Sequence, residues 1–258
     1  MGLKPFVVTA NTRRGPYATL TLRGEVEPSE PGQFYMLRGD WGADPLLARP
    51  LSVLGEDPDR NALHFLLKVV GEGTRRLFDL EPGEKVLGLG PLGRPFPLPD
   101  PKDSRPVLLV GGGVGVPPLA YLAERLARRG APFTFLQGAR TREDLLLREP
   151  LAKLGGRLIL VTEDGSEGIR GLVTAPLEDQ MALGAQAVCA CGPEGMLRAV
   201  AELCRGRLPF SLSLEARMGC GYGVCLGCVV AVQRDGRRAY ERVCQEGPVF
   251  DGEVVLWP

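Results

Sequence analysis

The chain has 258 residues, 44% hydrophobic and 24% charged, and its 31 basic residues balance 31 acidic ones to a net charge of zero. That length exceeds the usual single domain and points to two or three units, and zero net charge removes any general electrostatic pull toward nucleic acid or an anionic membrane. One histidine, His64, all but excludes multi-histidine metal sites and histidine-based triads.

The chain opens MGLKPFVVTANTRR. It lacks the basic start and apolar run of a secretory signal, and no stretch of about 18 apolar residues follows anywhere. A cytoplasmic location is expected. Residues 1–100 read as short strands broken by glycine and proline: FVVTANT, YATLTLRGEV, GQFYMLRG, RPLSVLGE, LHFLLKVV and EKVLGLGPLG. Six such strands at this density predict a small antiparallel β-barrel, with GTRRLFDL as its helix. His64 falls in the fifth strand, as a half-buried residue.

LPDPKDSRP, from Leu98 to Pro106, is a linker by composition. Beyond it, over 101–210, strands alternate with helical patterns. The strand-like stretches are PVLLVGGG, PFTFLQGAR, RLILVTED, QAVCACGP and FSLSLEARM. The helical ones are VPPLAYLAERLARRG, REDLLLREPLAKLG, LVTAPLEDQMALG and EGMLRAVAELCRG. This rhythm predicts βαβ units on a parallel sheet. Residues 211–258 form a third unit, too short to build a large core alone.

Chemistry-bearing stretches punctuate all three units. In the barrel, ARPLSV offers Arg49, a fork-shaped cation suited to phosphate, with Pro50, Leu51 and Ser52 after it. GEGT supplies Gly73 for close backbone approach and Thr74 as a hydroxyl donor at a helix start. In the second unit, VGGGVGVPP joins a strand to a helix. Its Gly111, Gly112, Gly113 and Gly115 would let a phosphate meet free N–H groups and the positive end of the helix dipole. Val116 stands where G-x-G-x-x-G needs a third glycine, so a standard Rossmann grip is not expected. CGPEGM puts Cys191, Gly192, Pro193, Glu194 and Met196 at the carboxyl end of another strand, where open α/β sheets bind ligands. Glu163 and Asp164 end a third strand and suit ribose hydroxyls, whereas Arg140 and Arg142 suit a 2′-phosphate. Cys189 and Cys204 read as core residues.

The third unit holds RMGCGYGVCLGCVV and, later, RVCQEGP. Seven cysteines, an odd number, do not make a fully paired disulfide framework, and a reducing compartment disfavours disulfides. Cys220, Cys225 and Cys228, with Cys244 after fifteen intervening residues, follow the C-x4-C-x2-C…C spacing of plant-type [2Fe–2S] centres. A zinc ribbon has two C-x2-C knuckles, and the second is missing here. On the residues alone, a [2Fe–2S] centre, a structural zinc and unliganded core cysteines stay open as readings.

Taken together, R-P-x-S, G-x-G-T, GGGVGVPPL and CGPEGM resemble the ferredoxin–NADP reductase superfamily of flavin enzymes. With EARMGCGYGVCLGC added, the chain is similar to the electron-transfer subunits of class 1B dihydroorotate dehydrogenases. The resemblance implies a fold of FAD-binding barrel, NAD-binding α/β domain and small [2Fe–2S] domain. It implies FAD on Arg49, Pro50, Leu51 and Ser52, on Leu66, Leu67 and Lys68, and on Gly73 and Thr74. It implies NAD on Gly111–Gly113, Gly115 and Cys191–Met196, and the cluster on Cys220, Cys225, Cys228 and Cys244. It further implies an FMN-bearing catalytic subunit as partner in an α2β2 assembly. Electrons from dihydroorotate oxidation would pass through the cluster and FAD to NAD+, in pyrimidine biosynthesis. Similar flavin–NAD subunits serve sulfide dehydrogenases, bifurcating transhydrogenases and hydrogenases, and a nucleotide-binding module with structural zinc would use the same glycines and cysteines.

Overall fold

The structure, a computed structural model, describes residues 2–100 and 102–257. Six strands close into an antiparallel barrel: β1 (Lys4–Arg14), β2 (Tyr17–Gly24), β3 (Phe34–Gly39), β4 (Arg49–Asp57), β5 (Ala62–Lys68) and β6 (Lys85–Leu92), in the order β1-β2-β5-β4-β3-β6. Alternation drives the closure. Phe6 and Val8 of β1, and Leu20 and Leu22 of β2, point inward at spacing two and are at most 1% exposed. Tyr35 sits at the centre, edge-on to Phe6 and Phe65 at ring distances of 6.1 and 5.8 Å. All six expected strands and the helix α1 (Glu72–Asp79) are present.

The second unit is a seven-stranded sheet. Its strands are β7 (Val107–Gly112), β8 (Phe133–Ala139), β9 (Arg157–Thr162), β10 (Ile169–Arg170), β11 (Ala187–Cys191), β12 (Phe210–Ser213) and β15 (Val249–Asp251), in the order β10-β9-β8-β7-β11-β12-β15. Every pairing is parallel except β12 with β15. The fully apolar run of β7 is what a strand covered on both faces requires. Helices α2 (Val116–Arg128), α3 (Arg148–Ala152), α4 (Ala175–Ala182) and α5 (Glu194–Cys204) supply the cover. Cys189 and Cys204 are buried in the core as expected.

Two expectations need correction. REDLLLREPLAKLG, expected as one helix, forms only a 3-10 turn at Arg142–Asp144 and the five-residue α3. Leu145 and Leu146 turn inward instead and are at most 4% exposed, and Leu147 takes a left-handed conformation (φ 57°) that no helix passes through. The C-terminal segment is also less separate than its sequence suggests. β12 and β15 extend the parallel sheet, and what stands apart is the cysteine loop with the hairpin β13 (Val229–Arg234) and β14 (Arg237–Arg242).

Two side chains join barrel and sheet units. Tyr121 of α2 enters the barrel core and donates its hydroxyl to Ser29 O at 2.9 Å. Tyr17 of β2 donates to Asp144 Oδ1, in the turn after β8, at 2.8 Å.

Candidate functional site

The sheet order reverses beside β7, which lies between β8 and β11 although β8 follows it in sequence. Ligands of open α/β sheets bind at such switch points, outside the carboxyl ends of the strands. A cleft of about 710 Å³ opens there. Gly112 and Gly113 line one side, Gly192, Pro193 and Met196 another, and Tyr17 and Lys68 of the barrel close it. Backbone approach is tight. A Cβ on Gly115 would lie 2.5 Å from Cys191 O and 2.7 Å from Gly192 N, and one on Gly112 would lie 2.6 Å from Met196 Sδ. Gly113 takes φ 54° and turns the chain into α2, which carries prolines in its first turn.

Not every expected residue reaches this cleft. Gly111 and Cys191 are buried beneath it, and burial pushes the Cys191 thiol up to about 12. Glu194 lines a neighbouring cavity instead. Arg140 and Glu163 face the cleft, but Asp164 is occupied, accepting from Ser166 N and Oγ at 2.9 and 2.6 Å. Arg142 lies beside Glu143, 3.7 Å away.

On the barrel wall, Arg49 begins β4 and lays its guanidinium over Gly73, so that any Cβ at Gly73 would overlap it. Its Nη1 donates to Leu47 O at 2.7 Å, which fixes the fork in place. Thr74 Oγ1 accepts from Val70 N and Gly71 N at 2.9 and 3.2 Å and donates to Gly71 O. Its hydroxyl therefore shapes the 70–74 loop. Pro50, Leu51 and Ser52 are half-buried along β4. On β5, Leu66 packs with Tyr17 and Leu146, Lys68 stands 5.2 Å over the Tyr17 ring, and Leu67 points into the barrel core. For Leu67 only the backbone is left to a ligand. His64 is half-buried, as expected, and its Nδ1 is 3.1 Å from Thr21 Oγ1.

The cysteine loop docks on the barrel through Gly221, which takes φ 80° against Met36 and Leu92. Met36 pairs across the β3–β4 ladder with Pro50, within the R-P-L-S run. The four thiols lie close enough to perturb one another, Cys220 with Cys225, and Cys244 with both Cys228 and Cys220. The Cys225 thiol bonds Cys220, and the Cys228 thiol bonds Cys244. Among the described residues no three of His, Cys, Asp or Glu converge on one point as a single ion would require. Burial works to raise the Cys220 thiol, but N–H groups of Cys225, Tyr222 and Val224, with the Cys225 thiol, outweigh it and lower Cys220 to about 6. Gly227 N donates to Cys225 Sγ at 3.4 Å. Inward N–H groups that favour thiolate are the donor environment an iron–sulfur cluster needs. All seven cysteines are free.

Sequence reasoning overlooked three ionisable residues of the cleft, besides several small and apolar ones. Glu215 follows β12, stays open to solvent yet is crowded by the walls, and that crowding raises its carboxyl above the ordinary range. Tyr17 and Asp144 line the cleft as well, and only tertiary structure pairs residues so distant in sequence.

Comparison with known proteins agrees with this geometry. Residues 215–256 match the family described as the iron-sulfur cluster binding domain of dihydroorotate dehydrogenase B, and residues 109–202 match the oxidoreductase NAD-binding domain. The dihydroorotate dehydrogenase B (NAD(+)) electron transfer subunit of Geobacillus kaustophilus is 45% identical over 241 residues, covering 92% of each chain. Its counterpart from Shouchella clausii is 42% identical over 240 residues, again 92% of each. Among solved structures, an NADH-dependent reduced ferredoxin-NADP oxidoreductase superposes with TM-score 0.84 at 28% identity, over 100% of this chain and 91% of that one. A ferredoxin NADP+ reductase from Neisseria gonorrhoeae, with TM-score 0.64 and 18% identity over 81% of this chain and 96% of that one, shares the fold.

Proposed function

Because this chain belongs to the family of dihydroorotate dehydrogenase B (NAD(+)) electron transfer subunits, we propose that its three parts form one electron path, from the cysteine loop past the R-P-L-S strand to the glycine cleft. The chain is an oxidoreductase subunit of pyrimidine biosynthesis, working with FAD, a [2Fe–2S] cluster and NAD beside a catalytic partner subunit. Bound flavin supplies the exchange between electron pairs, carried by NAD as hydride, and single electrons, carried by the cluster.

The residues divide that work. Arg49 holds the FAD diphosphate with its fixed fork, and Gly73 leaves room for it. Thr74 keeps the 70–74 loop in shape for the same phosphates. Pro50, Leu51 and Ser52 line the flavin, with Ser52 near its reactive edge, while Leu66, Lys68 and the Leu67 backbone take the ring and ribityl chain. Gly111, Gly112, Gly113 and Gly115, with Cys191 to Met196, hold NAD at the switch point. Gly111 and Cys191 act from beneath, by letting the two loops close on each other. Cys220, Cys225, Cys228 and Cys244 ligate the cluster.

The observation that carries this reading is the seat of Gly221 on Met36, itself paired with Pro50. It sets the cysteine loop one strand from the flavin wall. The rim around exposed Cys225 is apolar, with Tyr222 47%, Val224 72% and Leu226 60% exposed. That rim fits an FMN-bearing catalytic subunit in an α2β2 assembly, electrons entering from dihydroorotate oxidation. No described helix is long and apolar enough to cross a membrane, and thiolate ligands call for the reducing cytoplasm.

Anaerobic purification with the co-expressed partner tests the whole. Flavin bands and cluster absorbance, both bleached by NADH, together with orotate-forming activity, are expected. Zinc without visible bands overturns the redox reading. A redox-active complex that leaves dihydroorotate untouched favours a reductase subunit of the kind closest to the bifurcating oxidoreductase it superposes on.

A further inference from the structure

The two tyrosine bonds between barrel and sheet units differ in where they lie. Tyr121 makes its bond inside the barrel core, away from the cleft. Tyr17 and Asp144 make theirs in the cleft wall itself. Tyr17 stands on β2 and is 5% exposed, with Leu66 and Leu146 packed around its ring and Lys68 over its face. Asp144 ends the 3-10 turn that replaced the expected helix, immediately before Leu145 and Leu146 bury themselves. The turn thus anchors in two ways on the barrel, by one hydrogen bond and one leucine. The bond is directional: burial, then the Asp144 carboxylate, pushes the Tyr17 hydroxyl up to about 12, so it donates at every ordinary pH.

On the reading of this cleft as the NAD site, we propose that the Tyr17–Asp144 bond is a latch. It fixes the separation of the barrel wall from the glycine wall, and so makes Tyr17 and Asp144 positioning residues for hydride exchange. The Tyr121 junction holds the two units together at the closed side, and the latch decides how far they part at the open side. A nicotinamide ring reacts only when its hydride lies within about 3–3.5 Å of the acceptor, so small changes in this separation matter. Opening the latch lowers the fraction of molecules whose walls stand at binding distance, and apparent affinity falls by that fraction.

The test uses the FAD- and cluster-loaded complex with its partner. NAD+ affinity is measured by calorimetry, and steady-state KM and kcat are measured beside it. Tyr17→Phe keeps the ring packing and removes the donor, and Asp144→Ala removes the acceptor. Each is expected to weaken NAD+ binding about fivefold, the effect of one ordinary hydrogen bond. KM rises by a similar factor and by more than kcat falls. Asp144→Asn retains an acceptor oxygen and restores most of the affinity. The double variant Tyr17→Phe/Asp144→Ala is no weaker than either single one, since each breaks the same bond. NAD+ affinity unaltered in both single variants, or losses that add in the double, overturns the latch. So does flavin loss from Tyr17→Phe, which would make Tyr17 a flavin ligand. If the unsubstituted complex binds no NAD+, the cleft reading falls and the latch with it. Binding that the variants leave intact removes the latch alone.

Discussion

Gly221→Ala tests whether the cysteine loop must sit against the flavin wall. Gly221 takes φ 80°, a region that costs an alanine about 1–2 kcal/mol. Its new Cβ would overlap Met36 Cγ and stand 2.8 Å from Met36 Sδ. The Cγ is too close to the backbone to swing away, so the clash adds an overpacking cost of about 1–3 kcal/mol. Together the loop loses roughly 2–5 kcal/mol of docking energy. The variant should therefore bleach in air faster than the parent and pass electrons from NADH to the cluster more slowly, while flavin reduction by NADH is spared. Stopped-flow absorbance separates the two steps. Met36→Ala in the same chain would remove the clash but empty a buried core position, at a cost of about 2–5 kcal/mol, and so should not restore the parent. A Gly221→Ala protein with parental cluster lifetime and parental cluster reduction refutes the docking argument.

Cys225→Ser should abolish cluster absorbance and leave the barrel and sheet intact, since Cys225 is exposed and lies outside every core cluster; full cluster absorbance would refute its role. Arg49→Ala should weaken FAD retention by about 1–3 kcal/mol, the range for a charge-assisted bond, read as flavin content after dialysis. Gly73→Ala should reproduce part of that loss, because its methyl would overlap the guanidinium that the Leu47 carbonyl holds in place. Glu163→Gln should narrow the preference for NADH over NADPH, since Glu163 faces the cleft beside Arg140, and it is checked by the ratio of kcat/KM values.

The sequence showed the elements but not their seams. Barrel strands were readable because several alternate, as β2 and β6 do, and because glycine or proline ends or follows most of them, as at Gly24 and Gly39. The helix expected at 142–155 failed for a physical reason. Three consecutive leucines have no helical period, and the barrel offered Leu145 and Leu146 a better burial than a helix face could. The cysteine spacing suggested four residues acting together, while the closeness of Cys220 to Cys225, and of Cys244 to Cys228 and Cys220, needed the fold. Tyr17 and Asp144, 127 residues apart, carry no local signal of meeting. Glu215 is the same: its neighbours mark a strand end, and only the packing of β12 beside β11 sets it in the cleft.

The order of the parts along the path follows from what each can carry. NAD exchanges two electrons at once, and the cluster exchanges one. A flavin must therefore exchange electrons with both, and on the proposed reading the R-P-L-S strand and its neighbour β5 meet that demand. Across one ladder, Pro50 faces Met36 and so the cysteine loop. On the neighbouring β5, Lys68 faces the glycine cleft. Were the loop packed instead on α5 or on the outer edge of β10, the same cofactors would be present with no conductor between them. On the proposed path the Met36–Gly221 contact matters as a ligand does, although neither residue would hold a cofactor.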